Sequence, residues 1–272
     1  MNERKSRATD NRSTDFQRRY DPNFSWKTLQ GVFSALPGLR AGWTMGAFDE
    51  TGDVYGVSTL GTGRILDYNG NPQFGAVGLA PYIALDGTGD YLNAPDDAGL
   101  DITGLETYVV TANRGLTMGC WVYPTSVAGV QAVMGKWDEN GVDERSYLID
   151  LNGTAFRARI SNDGTAGTLT TVSSTVTAAV NHWYCVQMSY DPSARLMISV
   201  NGTVTETVAG VIASLHPGSA DLYIGTRDGG AALLTGRVGM AYLTCMYYED
   251  ATTPTDHMTQ SIFHHTRALY GV

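Results

Sequence analysis

Acid–base chemistry in this 272-residue chain would have to come from very few places. The densest carboxylate group is Asp138-Glu139-Asn140-Gly141-Val142-Asp143-Glu144-Arg145, flanked by Trp137 and Tyr147. Glycoside hydrolysis needs two carboxyl groups about 5–9.5 Å apart in one cleft. A strand carrying Glu-x-Asp-x-x-Glu would supply them, and no such run occurs. The acidic cluster therefore reads first as a solvated hairpin loop, and second as a loop that contacts sugar or a cation. On the second reading Trp137, Asp138, Asp143 and Tyr147 are the candidate glycan contacts, with aromatic rings to stack on sugar and carboxylates to accept its hydroxyls.

Other chemistry finds less support. His257 and His264 are seven residues apart, whereas a helical zinc pair prefers i and i+4. There is no Gly-x-Ser-x-Gly elbow, phosphate-binding loop or Cys-x-x-Cys pair. Cys120, Cys185 and Cys245 are odd in number and fall in apolar alternating segments, so they read as buried free thiols, with a Cys120–Cys185 disulfide as the alternative. An enzyme is not expected.

The segments that must position these residues are short, alternating and rich in Gly, Thr and Val. Leu116, Met118, Cys120 and Val122 share one face of a strand that Pro124 stops. Phe156, Ala158 and Ile160 face one way while Arg157 and Arg159 face the other, the pattern of a half-solvated antiparallel sheet. Asn69-Gly70, Asn152-Gly153, Asp163-Gly164, Asn201-Gly202 and Asp228-Gly229 tolerate the positive φ of tight turns. The expected class is all-β: a two-sheet antiparallel β-sandwich with an N-terminal extended or helical arm and a short C-terminal helix opened by Thr253-Pro254.

The chain divides at residue 36 into an arm, 1–36, and a body, 37–272. The first thirty residues carry seven basic and four acidic side chains, while the whole chain carries 18 and 27. An acidic body argues against nucleic acid as the main ligand, because phosphate contacts need clustered Lys and Arg. No apolar run is long enough for a membrane span, and no secretory leader opens the chain. Phe16, Tyr20, Trp26 and Phe33 make the arm sticky; it either packs on its own sandwich or docks onto another protein or a sister subunit.

Several motifs then fall in a telling order. They are Leu85-Asp86-Gly87-Thr88-Gly89-Asp90-Tyr91-Leu92, the strand Leu116–Pro124, His182-Trp183-Tyr184-Cys185-Val186, Leu196–Val200 with Asn201-Gly202, Leu222-Tyr223-Ile224-Gly225, Thr235-Gly236-Arg237-Val238, and Arg267-Ala268-Leu269-Tyr270. This succession resembles laminin-G-like domains, which have the concanavalin A-like jelly roll, a scaffold used mostly for recognition. The resemblance implies no resident cofactor except a calcium ion that such domains often hold, for which Asp86 and Asp90 are the matching ligands. The family's late Gly-x-Ile-Asp is Gly236-Arg237-Val238-Gly239 here, so one carboxylate ligand is missing.

The run from Leu36 to Leu92, with Ala98–Gly104 and the ending Arg267–Val272, also resembles small proteins of tailed phages. That likeness implies a virion structural protein, a head decoration, fibre or tail appendage, made in the host cytoplasm and not secreted. Its partners would be other virion proteins through the arm, a second copy of itself and a cell-surface glycan. The alternative is a stand-alone carbohydrate-binding module of a cell, with a glycosidase third.

Overall fold

A computed structural model describes residues 32–33, 36, 38–48, 54–57, 64–105, 115–141, 143–245 and 256–272. Phe16, Tyr20 and Trp26 lie outside the described residues, as do Asp49-Glu50-Thr51-Gly52 and Tyr247-Tyr248. The strands, in chain order, are β1 (Leu39–Phe48), β2 (Val54–Val57), β3 (Ile65–Asn69), β4 (Gln73–Val77), β5 (Ala80–Asp86), β6 (Tyr91–Ala94), β7 (Leu116–Pro124), β8 (Val130–Asp138), β9 (Glu144–Asn152), β10 (Ala155–Gly164), β11 (Thr170–Thr177), β12 (Tyr184–Asp191), β13 (Arg195–Val200), β14 (Thr203–Thr207), β15 (Leu222–Ile224) and β16 (Thr235–Thr244). One helix, α1 (Asp256–Tyr270), follows.

Every pairing is antiparallel, and the strands form two sheets that share an edge. The first runs β11-β10-β9-β8-β15-β6-β3, and the second β2-β1-β16-β7-β12-β13-β14. Strand β3 pairs β2 as well as β6 and so links the two. β16 is long enough to pair β5 along Thr235–Val238 and β1 along Ala241–Thr244, and β4 lies outside β5.

The period-2 patterns dictate which face is buried. Leu116, Met118, Cys120 and Val122 enter the sandwich core with Tyr147, Ile149, Leu151, Phe156, Ala158, Ile160, Val186, Met188, Ile198 and Val238, as alternation required. The opposite face of the second sheet is also covered. Trp121, Cys185, Met240 and Tyr242 form a separate cluster with Ile262, Phe263 and Tyr270 of α1, and with Phe33 and Leu36. The indole N–H of Trp121 donates to Thr266 Oγ1 at 2.9 Å, and the ring stacks on Tyr270 at 4.4 Å between centroids.

Phe33 corrects one expectation. It is fully buried and lies against the α-carbon of Gly42, so it anchors its own sandwich and is not available to a partner. All three cysteines are free and buried. Cys120 pairs with Val186 and faces the core, while Cys185 pairs with Trp121 and faces outward, so the register itself prevents a disulfide between them.

Candidate ligand-binding face

The acidic loop joins β8 to β9, and its side chains are drawn into an ion-pair network on the outer face of the first sheet. Glu139 is the hub. Its Oε2 accepts from the indole N–H of Trp137 and from Arg145 Nε, both at 3.3 Å, while Oε1 pairs with Arg227. Burial raises the pKa of Glu139, but the indole N–H and the guanidinium groups of Arg227 and Arg145 outweigh it and hold the carboxyl below its usual range. Asp143 is exposed and pairs with Arg145; Asp138 closes the loop by accepting from the Asn140 amide at 2.7 Å. Glu144 faces elsewhere, 3.3 Å from His216 Nε2 and accepting from the Ser219 amide at 2.7 Å.

A second hub lies one hairpin further along. Asp150 is fully buried, and its two oxygens accept from Arg157 Nε and Nη2 at 2.6 and 2.7 Å in a two-pronged clamp. Arg159 Nη1 adds a third contact at 3.3 Å. The register sets Asp150 opposite Arg157, so the clamp follows from strand pairing. Burial lowers the Arg159 pKa and Asp150 opposes that shift. The two hubs are joined through Arg159, whose guanidinium lies over the Trp137 ring.

Two of the predicted glycan contacts are thereby corrected. Trp137 is wholly buried with Ala132 and Leu148 on the outer face, beneath Arg159. Tyr147 points into the core, where its hydroxyl donates to the Leu100 carbonyl at 2.9 Å. Neither ring offers a free face to a sugar. Of the four residues, Asp138 and Asp143 alone reach solvent.

The aromatics that do reach solvent on this face sit three strands from the arginine clamp. Tyr91 and Tyr223 meet edge-on at 6.0 Å. Burial, with Asp221 next, pushes the Tyr223 hydroxyl up to about 12. Cross-strand partners define one row on this face: Asn93, Tyr223, Gly135, Leu148, Arg159 and Thr171. At the usual strand spacing it spans about 24 Å. Gly135 has no room for a side chain, since a Cβ there would fall 2.8 Å from the Leu148 α-carbon. Asn93 is fixed by Asn69 at 2.8 Å and Asp221 at 2.9 Å. Arg157 and Arg159 were legible as outward-facing; Asp150, Glu139, Arg227, Tyr91 and Tyr223 as their neighbours were not.

The calcium reading of Asp86 and Asp90 does not fit either. Asp90 is buried and accepts the Asn71 amide at 2.6 Å and the Asp86 amide at 3.3 Å. Asp86 accepts the Thr88 amide at 2.6 Å. Both carboxylates tie off the turn between β5 and β6. Where the late Asp would stand, Gly239 is roofed by the Tyr270 ring. Among the described residues no three His, Cys, Asp or Glu side chains converge as a hard cation requires.

The double antiparallel sandwich with an outward-facing polar row has the jelly-roll architecture. A model of the concanavalin A-like lectin/glucanases superfamily, Laminin_G_3, matches residues 86–243, and the chain belongs to that family. No curated protein matches the sequence. Solved structures similar to it include the binding domain of botulinum neurotoxin serotype G, with TM-score 0.60, 8% identity and coverage of 83% of this chain and 50% of that one. The binding domain of Paraclostridial Mosquitocidal Protein 1 gives 0.60, 8%, 83% and 52%. The receptor binding domain of a botulinum neurotoxin C/D mosaic serotype gives 0.60, 7%, 84% and 51%. The chain thus spans about half the length of these structures, and at such identities the likeness is one of fold.

Proposed function

We propose that this chain is a non-catalytic saccharide-recognition domain displayed on a virion surface, as a head decoration, fibre or tail appendage. The observation that carries the recognition half is the state of the two inner carboxylates on the polar face. Asp150 accepts from two arginines and Glu139 from two arginines and an indole, so the oxygens of each are committed to fixed partners. A general acid must hold a proton at working pH and a nucleophile must be free to approach the sugar. Carboxylates fixed in this way do neither; they hold Arg145, Arg157, Arg159 and Arg227 at set positions, which is what binding needs. The toxin domains of similar fold are described as binding domains, in agreement with recognition.

The virion half rests on the likeness of the Leu36–Leu92 run and the chain's ending to tailed-phage proteins. Phe16, Tyr20 and Trp26 are then the contacts to neighbouring virion proteins. A glycan array probed with the wild type and with Tyr223→Ala tests recognition: the expected result is binding that the variant loses. Mass spectrometry of purified virions tests the location, and absence of the chain from the particles would refute it.

A further inference from the structure

Among the described residues Arg237 has no carboxylate beside it, as Arg40 and Arg267 have none, and it differs from those two in lying against two aromatic rings. Arg64, Arg145, Arg157, Arg159, Arg195 and Arg227 each pair with a carboxylate. Arg237 instead leaves β16 on the outer face of the second sheet and lies between two aromatic rings. Its guanidinium carbon is 4.7 Å from the centroid of Tyr82 and 4.7 Å from that of Tyr123. Trp183 closes the group, 6.0 Å from Tyr82 and 5.3 Å from Tyr123, and itself packs on Tyr270 of α1 at 4.8 Å.

The cage is built into the sheet. Tyr123 of β7 is the cross-strand partner of Arg237, with Ala84 of β5 on the other side. Gly75 of β4 makes room for Tyr82, because a Cβ there would meet the tip of its ring at 2.5 Å. Two rings thus pack against the guanidinium, and its N–H groups remain the part that can hydrogen-bond a ligand. Among the described residues no hydrogen bond or ion pair reaches those groups, nor the hydroxyl of Tyr82 or Tyr123. All three side chains are half-buried, so the unmet donors open to solvent.

We propose that this cage binds the carboxylate of an acidic sugar of the uronic acid type. A planar guanidinium edge matches a carboxylate with two parallel N–H···O bonds. The tyrosine hydroxyls can then exchange hydrogen bonds with ring hydroxyls, and the aromatic rims offer apolar surface to the sugar's C–H groups. In a chain of net charge −9 an arginine with no counter-ion among the described residues is a local positive spot. A polyphosphate ligand would call for a cluster of cations instead. The cage uses none of the residues of the first-sheet face, so it stands or falls apart from the function proposed above.

Calorimetric titration of the intact chain with oligoglucuronate, with an oligoglucose of equal length and with acetate tests it. Saturable binding of oligoglucuronate is expected, with oligoglucose and acetate at least about tenfold weaker. Arg237→Gln should abolish the binding. Arg237→Lys keeps a cation between the rings, and hence the packing, but loses the fork, and should weaken binding about tenfold. Arg195→Ala, three strands away on β13, should leave it unchanged. Oligoglucose or acetate binding as tightly as oligoglucuronate, an Arg237→Gln variant that binds like the wild type, or no saturable binding would each overturn the proposal.

Discussion

The guanidinium carbon of Arg159 lies 4.8 Å from the centroid of the Trp137 ring, and this one contact joins the two carboxylate hubs of the first sheet. Below it, Trp137 donates to Glu139; beside it, Arg159 donates to Asp150. A ring that would otherwise serve a sugar instead supports an arginine. The side chains of this face are consequently held by one another.

Asp150→Ala should be among the costly substitutions. It leaves Arg157 and Arg159 on a mostly buried face without their shared anion, and removing one partner of a buried ion pair costs about 3–5 kcal/mol. Chemical denaturation checks this; a loss under about 1 kcal/mol would show that the clamp is ordinary surface pairing.

Tyr270→Phe tests how α1 is held. The Tyr270 hydroxyl accepts from the buried Met240 amide at 2.7 Å, where β16 shifts register between Val238 and Ala241. Losing the acceptor orphans that amide, for an expected cost of about 1–3 kcal/mol. Unchanged stability would mean that the amide finds another partner.

Calcium should leave the protein unmoved. With Asp86 and Asp90 committed to backbone amides, millimolar Ca²⁺ is expected to give no rise in Tm, whereas Asp90→Ala should lose about 1–3 kcal/mol from its unmet turn amides. A Ca²⁺-dependent rise that Asp86→Ala removes would contradict this.

Acid should weaken the fold through two depressed carboxylates. Asp97 is held below its ordinary 3.8 by the Arg64 fork, and Glu139 below its ordinary 4.5 by the partners already named. Their folded pKa values lie under the unfolded ones. The stability they add is therefore complete above those ordinary values and is lost as pH falls through the lower folded values. Asp101, raised by burial against the opposing Lys136, acts in the reverse sense. In Glu139→Gln, Tm followed from neutral pH into acid should fall less steeply than in the wild type.

Much of the architecture was legible because period-2 alternation fixes a face without tertiary information. The Asn201-Gly202 hairpin forms as read, with φ of 51° and 80° at its two central residues. The Asn152-Gly153 signal was misplaced by one residue: Asn152 pairs Ala155, so the turn is Gly153-Thr154. That shift matters, since a turn centred one residue earlier would set Leu148 opposite Arg157 and hide the clamp with Asp150. Trp137 and Tyr147 were misjudged for different reasons. Trp137 does face outward but is covered by Arg159 from two strands away, which no local spacing shows, while Tyr147 follows the core-facing alternation of Ile149 and Leu151, a signal that the flanking acidic loop obscured. The cage around Arg237 joins β5, β7, β16 and the residue before β12, and no local spacing shows that.

Binding without turnover is the central claim, and one paired assay tests it most directly. Any glycan that the intact chain retains on an array is incubated with it while reducing ends are counted. The account expects retention with no release above the protein-free control. Sugar release that persists through purification and disappears in Glu139→Gln or Asp150→Asn would contradict it, because carboxylates held as ion-pair hubs would then be working as a catalytic pair.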